Sequence, residues 1–142
     1  VKKFIGILPL FLLLGCESTD SKLPSFAQTS AQSSTIPNDP ALIAKGAKVF
    51  KYRCSACHSM DAKKSQFFGP HLADLIDREI ATIDGYTFPE TTKQHDIVWT
   101  ESTLYEWLEN PQKMVKDMCM PFTGLPKKED RDALMAYLKY GG

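Results

Sequence analysis

Apolar residues fall in four groups along the chain, and the groups differ in period. The first is an unbroken run over residues 4–14, directly after Lys2 and Lys3. The other three recur at helical spacing. Asp39-Pro40 opens the second, with Ile43, Ala47 and Phe50 along one face and proline in the first turn, where its missing N–H costs nothing. Thr100 can cap the third, which carries Leu104, Trp107 and Leu108 inward and must stop before Pro111. The last begins at about Glu129 with acidic residues in its first turn, places Leu134, Tyr137 and Leu138 on one stripe, and ends at Gly141. The pattern predicts an all-α domain of short helices.

The first run is a different kind of object. Eleven apolar residues cannot cross a hydrocarbon core that needs about 20, so residues 1–15 read as an export signal and not as a membrane span. The run ends in Leu13-Leu14-Gly15-Cys16, which resembles the lipobox of bacterial lipoproteins. That resemblance implies cleavage before Cys16, acylation of its thiol, and a lipid-anchored protein on the periplasmic face of a membrane in a bacterial cell envelope. Residues 17–38 are rich in Ser, Thr and Gln and poor in large apolar side chains, so they cannot bury enough surface to offset the entropy of ordering. Residues 16–39 are therefore expected to form a flexible linker with a coil span of roughly 25 Å. The folded domain is expected over 40–142.

Composition narrows the function. The chain has 142 residues, 43% hydrophobic and 24% charged, with 17 basic against 17 acidic side chains. Nucleic-acid binding by counterion release needs clustered cations that such a balance does not supply. Losing Lys2 and Lys3 with the signal leaves 15 basic against 17 acidic residues, so the mature protein is mildly acidic.

The chemistry sits in Cys54-Ser55-Ala56-Cys57-His58. Two thiols three residues apart lie on one face of a helical turn and can add to the two vinyl groups of a haem, while the adjacent imidazole is placed to coordinate the iron. A thioredoxin-like dithiol would need a strand before Cys54, where the period is helical. A zinc site would need further Cys or His pairs, whereas His71, His95 and Cys119 are scattered singly. Export agrees with haem attachment, which is completed outside the cytoplasm. The second axial position is open to Met118, Cys119 or Met120 by chemistry alone, and each could equally be core filling.

A wider resemblance covers about a hundred residues from Pro40 to Tyr140. Gly46, Phe50, Cys54, Cys57, His58, the turn Gly69-Pro70 and the segment 99–111, WTESTLYEWLENP, resemble class I cytochromes c close to the mitochondrial type. The family implies a cytochrome c fold of three to five helices wrapped around one covalent haem c. Counting forward from Asn110-Pro111 without a gap, it implies Met120 as the axial thioether, which raises the reduction potential relative to a nitrogen ligand. It further implies that the Pro70 carbonyl accepts a hydrogen bond from His58 Nδ1, and that Arg78 and Trp99 Nε1 serve a haem propionate. Two departures stand out: Phe88 where the mitochondrial proteins carry a propionate-binding Tyr, and Trp107 where they carry a Tyr beside the methionine.

With both axial positions filled no substrate can reach the iron, so the resemblance implies an electron carrier and not an enzyme. Its partners would be redox proteins such as a quinol-oxidising complex and a terminal oxidase or reductase, met as a monomer through Lys113, Lys127 and Lys128. The competing reading is a haem sensor or peroxidase-like protein in which Met120 is labile. Cys16 would take lipid and Cys54 and Cys57 haem, leaving Cys119 without an intramolecular partner.

Overall fold

The computed structural model describes residues 35–64, 68–118 and 120–142. The expected signal, the acylation site Cys16, the linker up to residue 34 and Cys119 lie outside them. Among the described residues five helices follow one another: α1 (Pro40–Arg53), α2 (Glu90–Lys93), α3 (Glu101–Glu109), α4 (Pro111–Met114) and α5 (Lys128–Tyr140). Among the described residues there is no strand, only an isolated antiparallel bridge between Glu79 and Val98. None of these helices is long and apolar enough to cross a membrane.

Local chemistry sets the helix ends. Asp39 accepts from the Ala41 N–H at 2.9 Å and Pro40 follows at the first helical position. Thr100 Oγ1 accepts from Thr103 N at 3.1 Å to start α3. Asn110 ends α3 and caps α4, accepting from Lys113 N at 3.3 Å; the following Pro111 disfavours a helical conformation at Asn110 and separates the two helices. α5 has no side-chain cap and relies on Glu129 and Asp130 in its first turn.

α1 and α5 cross at Gly46. A Cβ there would lie 2.0 Å from the Ala133 carbonyl oxygen, so only glycine allows this approach. Phe50 and Tyr137 meet across the same seam with ring centroids 5.4 Å apart, and Ala133 and Ala136 are fully buried beside them. Lys45 closes the rim on Asp130 at 3.3 Å. Leu104 and Leu108 of α3 join Leu134, Met135 and Leu138 of α5 in one core. Each such side chain contributes roughly 1.5–3 kcal/mol by leaving water.

The segment just before α1 is engaged with the helices. Ile36 packs against the core, and its carbonyl accepts from the Tyr140 hydroxyl at 3.1 Å. Backbone bonds close two of the loops between the helices. The first, over residues 77–99, is closed by Asp77 N to Trp99 O, Trp99 N to Arg78 O and Ile80 N to Ile97 O, at 2.8–3.0 Å. The second leaves α4 and returns to α3 through Leu125 N to Leu108 O at 2.7 Å. Gly124 makes that return at φ +95, where a Cβ would sit 2.2 Å from the Glu109 carbonyl.

Candidate haem site

The site begins where α1 stops. Cys54 caps the helix, its N–H still reaching Phe50 O at 2.8 Å, and the chain then tightens so that Cys57 N and His58 N both donate to Cys54 O, at 3.0 and 2.9 Å. One turn therefore carries both thiols and the imidazole. Both cysteines are half-buried and are not joined to each other. Burial pushes the Cys54 thiol up to about 11, with Arg53 opposing and Cys57 adding to the rise. A reactive exchange dithiol or a ready-made thiolate ligand is favoured by the opposite shift. Among the described residues no three His, Cys, Asp or Glu side chains converge as a metal cluster.

His58 is held from behind. Its Nδ1–H donates to the Pro70 carbonyl at 2.7 Å, which leaves Nε2 with a free lone pair. Burial lowers its pKa and the carbonyl bond partly offsets this, so the neutral, ligating form is favoured. The ring lies on Gly69, where a Cβ would come within 2.4 Å of His58 Cε1. Two backbone bonds hold the facing segments together: Gly69 N to Cys57 O at 3.1 Å and Leu72 N to Ser59 O at 2.7 Å.

Met120 is half-buried on the loop after α4. Its N–H donates to Met118 O and its carbonyl accepts from Phe122 N, both at 2.8 Å. Phe122 stacks on Trp107 of α3 at 5.6 Å and 28°, and Trp107 meets Trp99 edge-on at 5.5 Å. Met118 packs against the hydrophobic core. Arg53 Nη2 reaches Gly124 O at 3.5 Å, tying the Cys54 end of α1 to the methionine loop.

Arg78 is half-buried and donates to Ala73 O at 2.8 Å and His71 O at 3.1 Å. Burial lowers its pKa and Asp74 opposes this. Its backbone pairs with Trp99, so the two residues proposed to serve a propionate are neighbours. Phe88 meets Tyr86 edge-on at 4.7 Å, and the Tyr86 hydroxyl donates to Phe68 O at 3.0 Å. The phenol nearest Phe88 in this loop is thus engaged with backbone. Sequence reasoning passed over His71, whose Nδ1 is buried without a partner among the described residues. As a lone histidine it carried no spacing signal.

The residues present fit a haem. The glycine cradle under the imidazole, the poised Nε2 and the buried unpartnered indole N–H of Trp107 all leave room or bonding capacity for a group that protein atoms do not supply. The cytochrome c family model matches residues 43–141. The chain belongs to the cytochrome c family. Among its relatives, cytochrome c of Gibberella zeae is 42% identical over 97 residues, covering 68% of this chain and 92% of the relative. Cytochrome c of Arabidopsis thaliana is 40% identical over 95 residues, covering 67% and 85%, and that of Ulva intestinalis 37% over 103 residues, covering 72% and 90%. As a class I cytochrome c the protein is a monohaem electron carrier and not an enzyme, and the Cys54–Cys57 spacing fits its one covalent haem c.

Proposed function

We propose that this cytochrome c is a membrane-tethered shuttle whose iron is held between His58 Nε2 and the Met120 thioether. The observation that carries the reading is the 2.7 Å bond from His58 Nδ1 to Pro70 O, which orients the ring, assigns its tautomer and strengthens Nε2 as a donor. When bound, the haem supplies a one-electron ferric/ferrous couple. His58 and Met120 would together hold the iron and leave no place for a reactant to coordinate, which would suit outer-sphere transfer of one electron. The thioether raises the potential relative to a second imidazole. Arg78 and Trp99 would offset the cost of a partly buried propionate. Phe88 offers no hydroxyl there, which leaves that propionate less well neutralised and lowers the potential; Phe88→Tyr should raise it.

Partners are redox proteins, and we assign them as a quinol-oxidising complex and a terminal oxidase or reductase. Lys127 lines a groove with Lys45, Lys48 and Arg53 beside the methionine loop, and Lys113 is exposed nearby after α3. Lys128 is already paired with Asp132 at 2.7 Å and is the weaker docking contact. Leu13-Leu14-Gly15-Cys16 supports acylation of Cys16 and a lipid anchor on the periplasmic face of a bacterial membrane.

The absorption spectrum of the oxidised protein tests the ligand set. A long-wavelength sulfur-to-iron band lost in Met120→Ala and kept in Met118→Ala is the expected result. Rapid carbon monoxide binding to the reduced wild type would overturn it in favour of a labile-ligand sensor or peroxidase-like protein. Release from membranes by Cys16→Ser tests the anchor separately.

A further inference from the structure

Four large apolar side chains stand exposed among the described residues: Tyr52, Phe68, Val98 and Tyr140. An apolar side chain exposed singly is ordinary on a protein surface. Tyr140 is engaged through its hydroxyl with Ile36 O, and Val98 belongs to the bridge with Glu79. Tyr52 differs because of where it stands. It is 78% exposed on the last turn of α1, two residues before Cys54, and it lines a groove of about 690 Å³ whose apolar lining includes Val49, Leu125 and Pro126. Lys45, Lys48 and Tyr52 follow at i, i+3 and i+7 and so share one face of the helix. The groove lies between α1 and the return of the methionine loop, which Arg53 Nη2 ties to α1 through Gly124 O at 3.5 Å. A protein seated in it therefore covers the haem-attachment end of α1 and the methionine loop together.

The groove carries a surplus of positive charge. Its two carboxylates are already engaged, Asp130 with Lys45 at 3.3 Å and Glu109 with Arg131 at 3.2 Å. Lys48, Arg53 and Lys127 are exposed, and Lys51 Nζ adds a further cation 5.8 Å from the centre of the Tyr52 ring. On a chain with 17 basic and 17 acidic side chains this local excess is complementary to an acidic protein surface. Exposed ion pairs guide an approach but hold little once formed. An aromatic ring can bury about 150–250 Å² and gives up little side-chain freedom in doing so. We propose that Tyr52 is the anchor of the docking surface, its ring entering an apolar socket on an acidic redox partner while Lys48, Arg53 and Lys127 guide the approach. The proposal rests on the electron-shuttle reading and its cationic docking face. It divides the work: the cations set the association rate, and Tyr52 sets how long the complex lasts.

Electron exchange between the haem-loaded protein and membranes of its own cells, followed at several ionic strengths, tests the division. Tyr52→Ala should raise KM about tenfold, with the midpoint potential and the salt dependence of kcat/KM kept as in the wild type. Tyr52→Phe should stay within about twofold of the wild type, because the ring is retained. Lys48→Gln with Lys127→Gln should flatten the salt dependence. An unchanged KM in Tyr52→Ala overturns the proposal; if sedimentation then shows a wild-type dimer that Tyr52→Ala loses, the face belongs to a second copy of this chain. A KM rise of equal size in Tyr52→Phe overturns the apolar socket in favour of a bond to the hydroxyl. A wild-type salt dependence in the lysine variant, alongside a raised KM in Tyr52→Ala, overturns the cationic docking reading and leaves the anchor. A wild type that these membranes neither oxidise nor reduce overturns the shuttle reading and the anchor together.

Discussion

The crossing of α1 and α5 and the loops around His58 and Met120 are built on opposite principles. At the crossing, backbone groups are satisfied inside helices, small residues let the axes close, and Phe50 and Tyr137 fill the seam. The haem-facing half has little regular structure. It is held by single bonds such as His58 Nδ1 to Pro70 O, contains the left-handed residues Asp74, Asp77, Ala81 and Asp117, and holds His71 Nδ1 and Trp107 Nε1, which have no hydrogen-bond partner among the described residues. The first half is complete as protein; the second is shaped around something that is not protein.

The comparison can be broken most severely at Gly46. Gly46→Val drives side-chain atoms into the Ala133 carbonyl, and overpacking against rigid backbone should cost more than about 3 kcal/mol. A loss of cooperative unfolding or a sharply lowered Tm, followed by circular dichroism, is the expected outcome. Cys54→Ser with Cys57→Ser removes the covalent attachment and should separate the halves. Amides in 70–99 and 115–126 should exchange faster by about 100-fold, while those of α1 and α5 remain the slowest. Equal acceleration in both halves would refute the contrast.

Gly69→Ala acts within the site alone. Its Cβ would meet the His58 ring at 2.4 Å, so the imidazole must shift, at a cost of about 1–3 kcal/mol. The haem absorption should change while the α1–α5 helical signal persists. The smallest effect has the opposite sign. Ala81 sits at φ +61, where a Cβ is disfavoured by about 1–2 kcal/mol, and glycine returns part of that in lost chain entropy. Ala81→Gly should stabilise the protein by about 0.5–1 kcal/mol in chemical denaturation, placing local strain in the loop half.

Much of the helical half was legible because its determinants are local. Asp39-Pro40, Thr100 and Asn110-Pro111 act on neighbouring backbone groups, and the observed start of α1 and both ends of α3 follow from them. α5 starts at Lys128, in line with the expected start at about Glu129, and has no side-chain cap. The single turns α2 and α4 have too few residues for a period to show. Ile36 looked like linker because its partner, the Tyr140 hydroxyl, is more than a hundred positions away.

For the site, the sequence by itself determined the group of Cys54, Cys57 and His58, because three reactive atoms within one turn are a matter of local geometry. The apolar stripes of α1 and α5 were legible in the same way, from helical period alone. Only the tertiary structure decided that Gly69 lies under the imidazole, that Arg78 spends two donors on its own loop, and that Trp107 is clamped between Trp99 and Phe122 with its N–H unspent. Those facts depend on segments far apart in the chain, where no spacing rule reaches and only the closing of loops on a shared core brings the atoms together.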